Sequence, residues 1–253
     1  MRGDSQVARR IHCSEIWGGI KNADLDLCTK SVTVSLYSKA CQADKGGDIS
    51  YLAVCDSDVL TRIVTADVRG HGQLVSKLSQ WIYDALRDSM DTRDGTTILR
   101  RLNRVVHAEG FLAMTTAVVA SFYITDSSLS VCYAGHPPVL LNQHADSSAW
   151  SEIHVPARSG AANLPLGALA DTGYDEVVMT IHSEDRIALY TDGVTECMHG
   201  EAEFGVEGLR AALGVTNGQP LAVAKQNVLA ALERHAAETP YDDDITLLLI
   251  EAL

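Results

Sequence analysis

The sequence predicts an α+β fold of stacked, mainly antiparallel sheets covered by helices, and three observations carry that prediction. Strand-type blocks flank a helical pair, further helical stretches precede a last apolar run, and the strict βαβα alternation of a parallel sheet is missing. The 253 residues, 46% apolar and 21% charged, are enough for one domain with a buried core. No repeat, low-complexity tract or convincing linker divides them.

Residues 1–30 mix charges, glycines and isolated apolar residues without a sustained period, so an irregular lead-in is expected there, pinned to the body by Trp17. The domain proper is expected over 31–253. From Ser31 onward "SVTVSLYSKA", "DISYLAVCDS" and "VLTRIVTAD" are rich in Val, Ile, Tyr and Thr and read as strands, with "CDSD" as a hairpin turn. After Gly72 the apolar spacing becomes helical through Leu74, Leu78, Trp81, Ile82, Ala85 and Leu86, and a second amphipathic helix follows through Ile98, Leu102, Val105 and Val106. Strand texture returns in "MTTAVVASFYIT", "SLSVCYA" and "PVLLN", which together suggest an antiparallel meander with "AGHPP" as a rigid corner. Residues 142–170 read as a polar loop that either shapes substrate access or is inert surface. "YDEVVMTIH" and "DRIALYTD" are two more strands, and helices follow around "VEGLRAALG" and from Leu221 to about His235. The closing "ITLLLIEAL" is apolar at almost every position, as a central strand buried on both faces would be.

A formal net charge of -13 gives no positive field to gather phosphate backbones or anionic lipid, so nucleic acid and membrane are not expected partners. The six cysteines form no C-x-x-C pair and several lie in apolar runs, against a disulfide framework or a zinc site. With no apolar signal region at the N-terminus and no membrane-length apolar stretch, a cytoplasmic location is expected.

Acids recur at matched places: Asp48 after two glycines, Asp67 and Asp192 at the ends of strands, and Asp242 to Asp244 before the last one. A single Asp-Gly is ordinary turn chemistry. Several carboxylates converging on one sheet edge repel one another unless a hard divalent cation neutralises them, and neighbouring glycines leave the ion room.

Six segments in order, "GGD", "ADVRGHG", "YAGHPPVLL", "LPLGALADTGY", "DRIALYTDGVTE" and "DDDITLLLI", resemble the motif series of the metal-dependent protein serine/threonine phosphatases in their bacterial SpoIIE-like branch. The resemblance implies a four-layer α-β-β-α sandwich with two Mn2+ or Mg2+ ions at one end of the paired sheets. It implies that Asp67 bridges both ions with the Val68 carbonyl as a further ligand, that Asp48 acts largely through water, and that Asp192 and Asp243 hold the second ion. Asp67 and Asp192 are then the catalytic pair, and a hydroxide bridging the ions attacks phosphorus. Gly70, His71, Gly193 and Asp244 are expected to support those ligands, while Asp242 is expected to be a surface acid.

His71 is either a proton donor to the leaving oxygen or a turn residue orienting a ligand, and the second reading is favoured. His136 is adequately explained by a structural hydrogen bond at a strand corner. Arg69 departs from the small or apolar residue common in relatives; it either grips phosphate or joins ordinary surface pairing. The helices from Leu74 to about Glu109 are amphipathic core helices that the resemblance also makes a candidate switch. The expected substrate is a phosphorylated regulatory protein, with an anti-sigma-factor antagonist as one such class, and control would come from a separate regulatory partner or a homodimer. The competing readings are a catalytically silent phosphoprotein-binding module and a hydrolase of small phosphorylated molecules.

Overall fold

The computed structural model describes residues 8–41, 45–69, 72–146, 149–156, 162–237 and 239–253. Strands β1 (Arg9–Arg10), β2 (Ile16–Lys21), β3 (Ala23–Cys28), β4 (Val32–Lys39), β5 (Lys45–Val54) and β6 (Leu60–Val68) precede helices α1 (Gln73–Asp88) and α2 (Thr96–Glu109). They are followed by β7 (Thr115–Tyr123), β8 (Ser128–Ala134), β9 (Leu140–Asn142), β10 (Ser151–Glu152), β11 (Glu176–Thr180) and β12 (Arg186–Tyr190). The one-turn α3 (Asp192–Thr195), the hairpin β13 (Met198–His199) and β14 (Ala202–Glu203), α4 (Gly205–Gly214), α5 (Leu221–Ala236) and β15 (Ile245–Ala252) complete the chain.

Period-2 alternation sorts the long strands between two sheets. One runs β11-β8-β7-β6-β5-β2 and the other β1-β3-β4-β15-β12-β9-β10, with β1 and β3 parallel and the other described pairs antiparallel. One face of each sheet closes on the other: Leu52, Val54, Ile63, Val118 and Phe122 meet Val34, Leu36, Ile187, Leu189 and Leu248 in the inter-sheet core. The intervening residues Ile49, Val64, Ala66 and Val119 pack under Val75, Leu78, Ile82, Ile98 and Leu102 of α1 and α2. On the far side Ala188, Leu247 and Leu249 meet Leu209, Val228 and Leu232 of α4 and α5. These three cores make the four layers of an α-β-β-α sandwich, and β15 is its most apolar strand because it lies inside its sheet with a core on each face.

Three expectations need correction. The stretch 1–30 is not irregular over its described part: β2 and β3 extend one sheet each, and Trp17 packs against the inter-sheet core. The period is hidden in β2, a half-buried edge strand interrupted by Gly18 and Gly19, whereas in β3 Asp24 and Asp26 alternate with Ala23, Leu25 and Leu27 at the period of a strand. "PVLLN" does not extend the β7–β8 meander but crosses to pair with β12 in the other sheet. Pro137 and Pro138 lack the N–H that a continuing ladder needs, so the corner carries the chain across. Asp192 does not end a strand: β12 stops at Tyr190 and Asp192 opens α3, where a carboxylate suits the positive end of a helix.

Two side chains fasten the helical layer. Arg62, only 2% exposed, donates to Ser121 Oγ and to the carbonyls of Ser89 and Thr92, pinning the α1–α2 connection to the sheet. Asn103 of α2 donates to the carbonyls of Leu169 and Ala170 and accepts from Gly167 N–H at 2.8 Å. Part of the loop expected over 142–170 is thereby fixed, and Leu166 exchanges backbone hydrogen bonds with Thr115 at the start of β7.

Candidate metal centre

Antiparallel register sets Asp48 of β5 directly opposite Asp67 of β6. Both share the inter-sheet face with Leu52 and Ile63, so two carboxylates stand at the end of a strand pair whose inner rungs on that side run through Ser50 and Thr65 to an apolar core. From the other sheet, Thr191 follows β12 and donates its hydroxyl to Asp48 Oδ2 at 2.8 Å. The same Thr191 Oγ1 accepts from Thr246 N–H at 3.1 Å, so one hydroxyl joins both sheets at the acids. Thr191 was not singled out in the sequence; its signal was only its place before Asp192 at the close of an apolar strand.

Asp244 holds the loops together. Its carboxylate accepts from the backbone N–H of Cys41 at 2.7 Å, of Gly47, and of Asp48 at 3.4 Å. Close approach explains the flanking glycines: a Cβ on Gly193 would lie 2.0 Å from the Asp244 carbonyl oxygen, and one on Gly46 would lie 1.9 Å from Asp244 Oδ2. Asp243 points its own Oδ1 back at Asp244 N–H at 2.7 Å, and Asp242 is exposed, as expected of a surface acid.

The electrostatics are those of an acidic ring. Burial, followed by the carboxylates of Asp192, Asp243, Asp244 and Glu196, pushes Asp67 up to about 7. Burial and then the Asp67 charge raise Asp48 well above the carboxylate range. Asp243 is raised by desolvation and Asp192, and Glu196, which the sequence reading passed over, by desolvation and Asp192. None of the ring acids pairs with a lysine or arginine among the described residues. Every donor is a hard oxygen, the set that suits Mg2+ or Mn2+. Among the described residues no group of three or more His, Cys, Asp or Glu side chains is gathered into a ready-made ion-holding cluster.

The remaining candidates divide. Val68 is buried with its side chain in the helix-facing core. Gly70 and His71 lie outside the described residues. Arg69 is exposed, with its guanidinium carbon 5.4 Å from the centroid of the Phe111 ring. His136 is buried, bonds Thr116 Oγ1 at 3.0 Å through Nδ1, and is pushed down to about 3 by burial, so it is neutral. Thr116 is the β7 residue opposite Asp67, which makes that bond a brace for the site's third strand.

Comparison with known proteins bears on the fold and the family. A phosphoserine phosphatase of Bacillus subtilis (strain 168), RsbP, is 23% identical over 195 residues, 75% of this chain. The chain spans 45% of that relative's length. The SiaA-PP2C domain of Pseudomonas aeruginosa superposes with a TM-score of 0.72 at 20% identity, covering 86% of this chain and 85% of that one. RsbX in complex with magnesium superposes with a TM-score of 0.66 at 17% identity, covering 91% and 100%. At such identities the likeness is one of fold. The sequence pattern of the family described as Stage II sporulation protein E (SpoIIE) matches residues 57–253, most of the chain, which therefore belongs to that family.

Proposed function

We propose that the chain is a metal-dependent protein phosphatase acting on phosphoserine or phosphothreonine. The observation that carries this reading is the Asp48–Asp67 pair at one end of the sandwich, with Asp67 raised to about 7 inside a ring of further carboxylates. Its expected substrate is a phosphorylated regulatory protein, of which anti-sigma-factor antagonists are one class; the phosphoserine phosphatase among its relatives supports the phosphoserine part of this reading. Control by a separate regulatory partner or by homodimerisation belongs to the same reading. No helix among the described residues is long and apolar enough to cross a membrane, which fits the cytoplasmic location proposed with it.

In this mechanism Asp48, Asp67, the Val68 carbonyl, Asp192 and Asp243 hold two divalent ions, Mn2+ or Mg2+. Bound there, such ions supply a water of lowered pKa and neutralise charge on the phosphoryl oxygens. The protein's part is to hold its carboxylates still. Thr191 fixes the Asp48 carboxylate by its hydroxyl, and Asp244 fixes the loop that carries Asp48 by three backbone amides. Arg69, two residues beyond Asp67 and stacked on the Phe111 ring, would offer its guanidinium to a phosphate oxygen pair.

The test is Mn2+-dependent hydrolysis of a phosphoserine peptide and of para-nitrophenyl phosphate by wild type, Asp67→Asn and Asp192→Asn. Turnover that needs Mn2+ and is lost in both variants is expected. Turnover unaffected by chelator, or retained in both variants, overturns the reading; a strong preference for the small ester would turn it toward a small-molecule hydrolase.

A further inference from the structure

The turn between α2 and β7 carries an apolar lip that packing does not use. Phe111 and Leu112 are 65% and 76% exposed on the single 3-10 turn Phe111–Ala113, whereas Ala113 next to them is buried. The turn is well fixed: Ala113 N–H donates to the Gly110 carbonyl at 3.0 Å and Met114 N–H to the Phe111 carbonyl at 3.2 Å. It is also tied to the acidic centre. Thr115 pairs with Val68, Arg69 N–H donates to the Met114 carbonyl at 3.2 Å, and the Arg69 guanidinium sits over the Phe111 ring.

Arg69 joins no ion pair among the described residues, although the chain holds 33 acidic residues against 20 lysines and arginines. Stacking on a ring face orients a guanidinium and leaves its N–H edge available. Cation and apolar pair thus stand together on the turn that leads into Thr115 and Thr116, the residues paired with Val68 and Asp67. A free phosphate or small ester would use the cation alone. A phosphorylated residue within a polypeptide would present both a dianion and a flanking side chain, and adjacent exposed apolar residues on a rigid turn are what such a side chain would pack on.

We propose that Phe111 and Leu112 form the docking lip for the protein substrate, receiving an apolar side chain that neighbours the phosphorylated residue. This rests on the phosphatase reading above and goes beyond it by naming what the enzyme reads outside the phosphate.

The experiment compares two phosphoserine peptides that differ only in carrying leucine or alanine on both sides of the phosphoserine. The value of kcat/KM is measured for each with wild type, Leu112→Asp and Phe111→Leu in Mn2+, with para-nitrophenyl phosphate as a third substrate. The ratio between the two peptides on one protein cancels differences in folding or metal loading. Wild type is expected to prefer the leucine peptide about tenfold, the scale of apolar discrimination in one pocket, chiefly through KM. Leu112→Asp should bring the ratio near one and Phe111→Leu should keep most of it. A wild-type ratio near one, or an undiminished ratio in Leu112→Asp, overturns the lip. If para-nitrophenyl phosphate is hydrolysed while the ratio is one, the lip alone fails; if neither ester nor peptide is hydrolysed, the phosphatase reading fails and the lip with it.

Discussion

Replacing Asp67 by Asn should stabilise the metal-free protein while abolishing its response to metal. In the folded chain this carboxyl is raised from 3.8 to about 7, by burial and then by the charges of Asp192, Asp243, Asp244 and Glu196. A folded pKa above the unfolded one means that the native state holds the proton more tightly. The stability it confers is full below the unfolded value near 3.8 and is lost as pH rises through about 7. Each tenfold gain in proton affinity is worth about 1.4 kcal/mol, so a rise of this size corresponds to about 4 kcal/mol of destabilisation by the ionised group at pH 8. Around pH 5 the same linkage leaves about 2 kcal/mol. Asn is close in shape to protonated Asp and never ionises. The assay is urea unfolding in chelator at the two pH values, wild type against Asp67→Asn, repeated at pH 8 with excess Mn2+. The variant should be more stable than wild type in chelator, by more at pH 8 than at pH 5, and only wild type should gain from Mn2+. If the variant is no more stable than wild type at pH 8 in chelator, the acidic ring is not the uncompensated charge cluster described above.

Substitutions at three further positions probe the scaffold. Gly193→Ala places a Cβ 2.0 Å from the Asp244 carbonyl, so backbone must move; a loss of about 1–3 kcal/mol by urea unfolding is expected, with weaker Mn2+ binding by calorimetry. Thr191→Val leaves Asp48 Oδ2 and Thr246 N–H without their shared hydroxyl, for a cost of about 1–3 kcal/mol, whereas Thr191→Ser keeps the bridge and should retain stability in the same melt. Arg62→Leu strips donors from the Ser89 and Thr92 carbonyls, which predicts a loss of about 3 kcal/mol and faster hydrogen exchange in the α1–α2 connection than elsewhere in α1.

What was legible in the sequence followed what is local. The α1 and α2 periods, the β6, β7 and β8 runs and the central β15 each carry their own burial pattern, and the structure places helices and strands there. The α1 face differs in detail: Val75 and Ser79 are buried where the spacing pointed to Leu74 and Trp81, which are half-buried. What was hidden depends on partners far along the chain. β2 shows no clean period because it is a half-buried edge strand broken by two glycines, and the pairing of β2 with β5 and of β3 with β4 is a tertiary fact. The acids could be read because each stands next to an apolar strand-like run, Asp48 and Asp192 with a glycine adjoining, but Thr191 could not, since its role comes from meeting Asp48 across 143 positions. Phe111 and Leu112 escaped notice because an apolar pair after a helix reads as core until its exposure is seen.

The site's two demands, rigidity and access to water, are met along the same strands by a change of polarity from rung to rung. Between β5 and β6 the inter-sheet face runs from Leu52 and Ile63, through Ser50 and Thr65, to Asp48 and Asp67. The apolar rung belongs to the dry inter-sheet core and fixes register, because a slip by one residue would turn every side chain to the opposite face. The acids therefore cannot drift from their positions without moving that core. The middle rung is of a different kind: Ser50 Oγ and Thr65 Oγ1 are buried and meet no protein partner. Buried hydroxyls in a polar setting are ordinarily satisfied by ordered water. Polar side chains thus reach one rung behind the carboxylates and stop at Leu52 and Ile63, so the acids stand against a scaffold that does not yield.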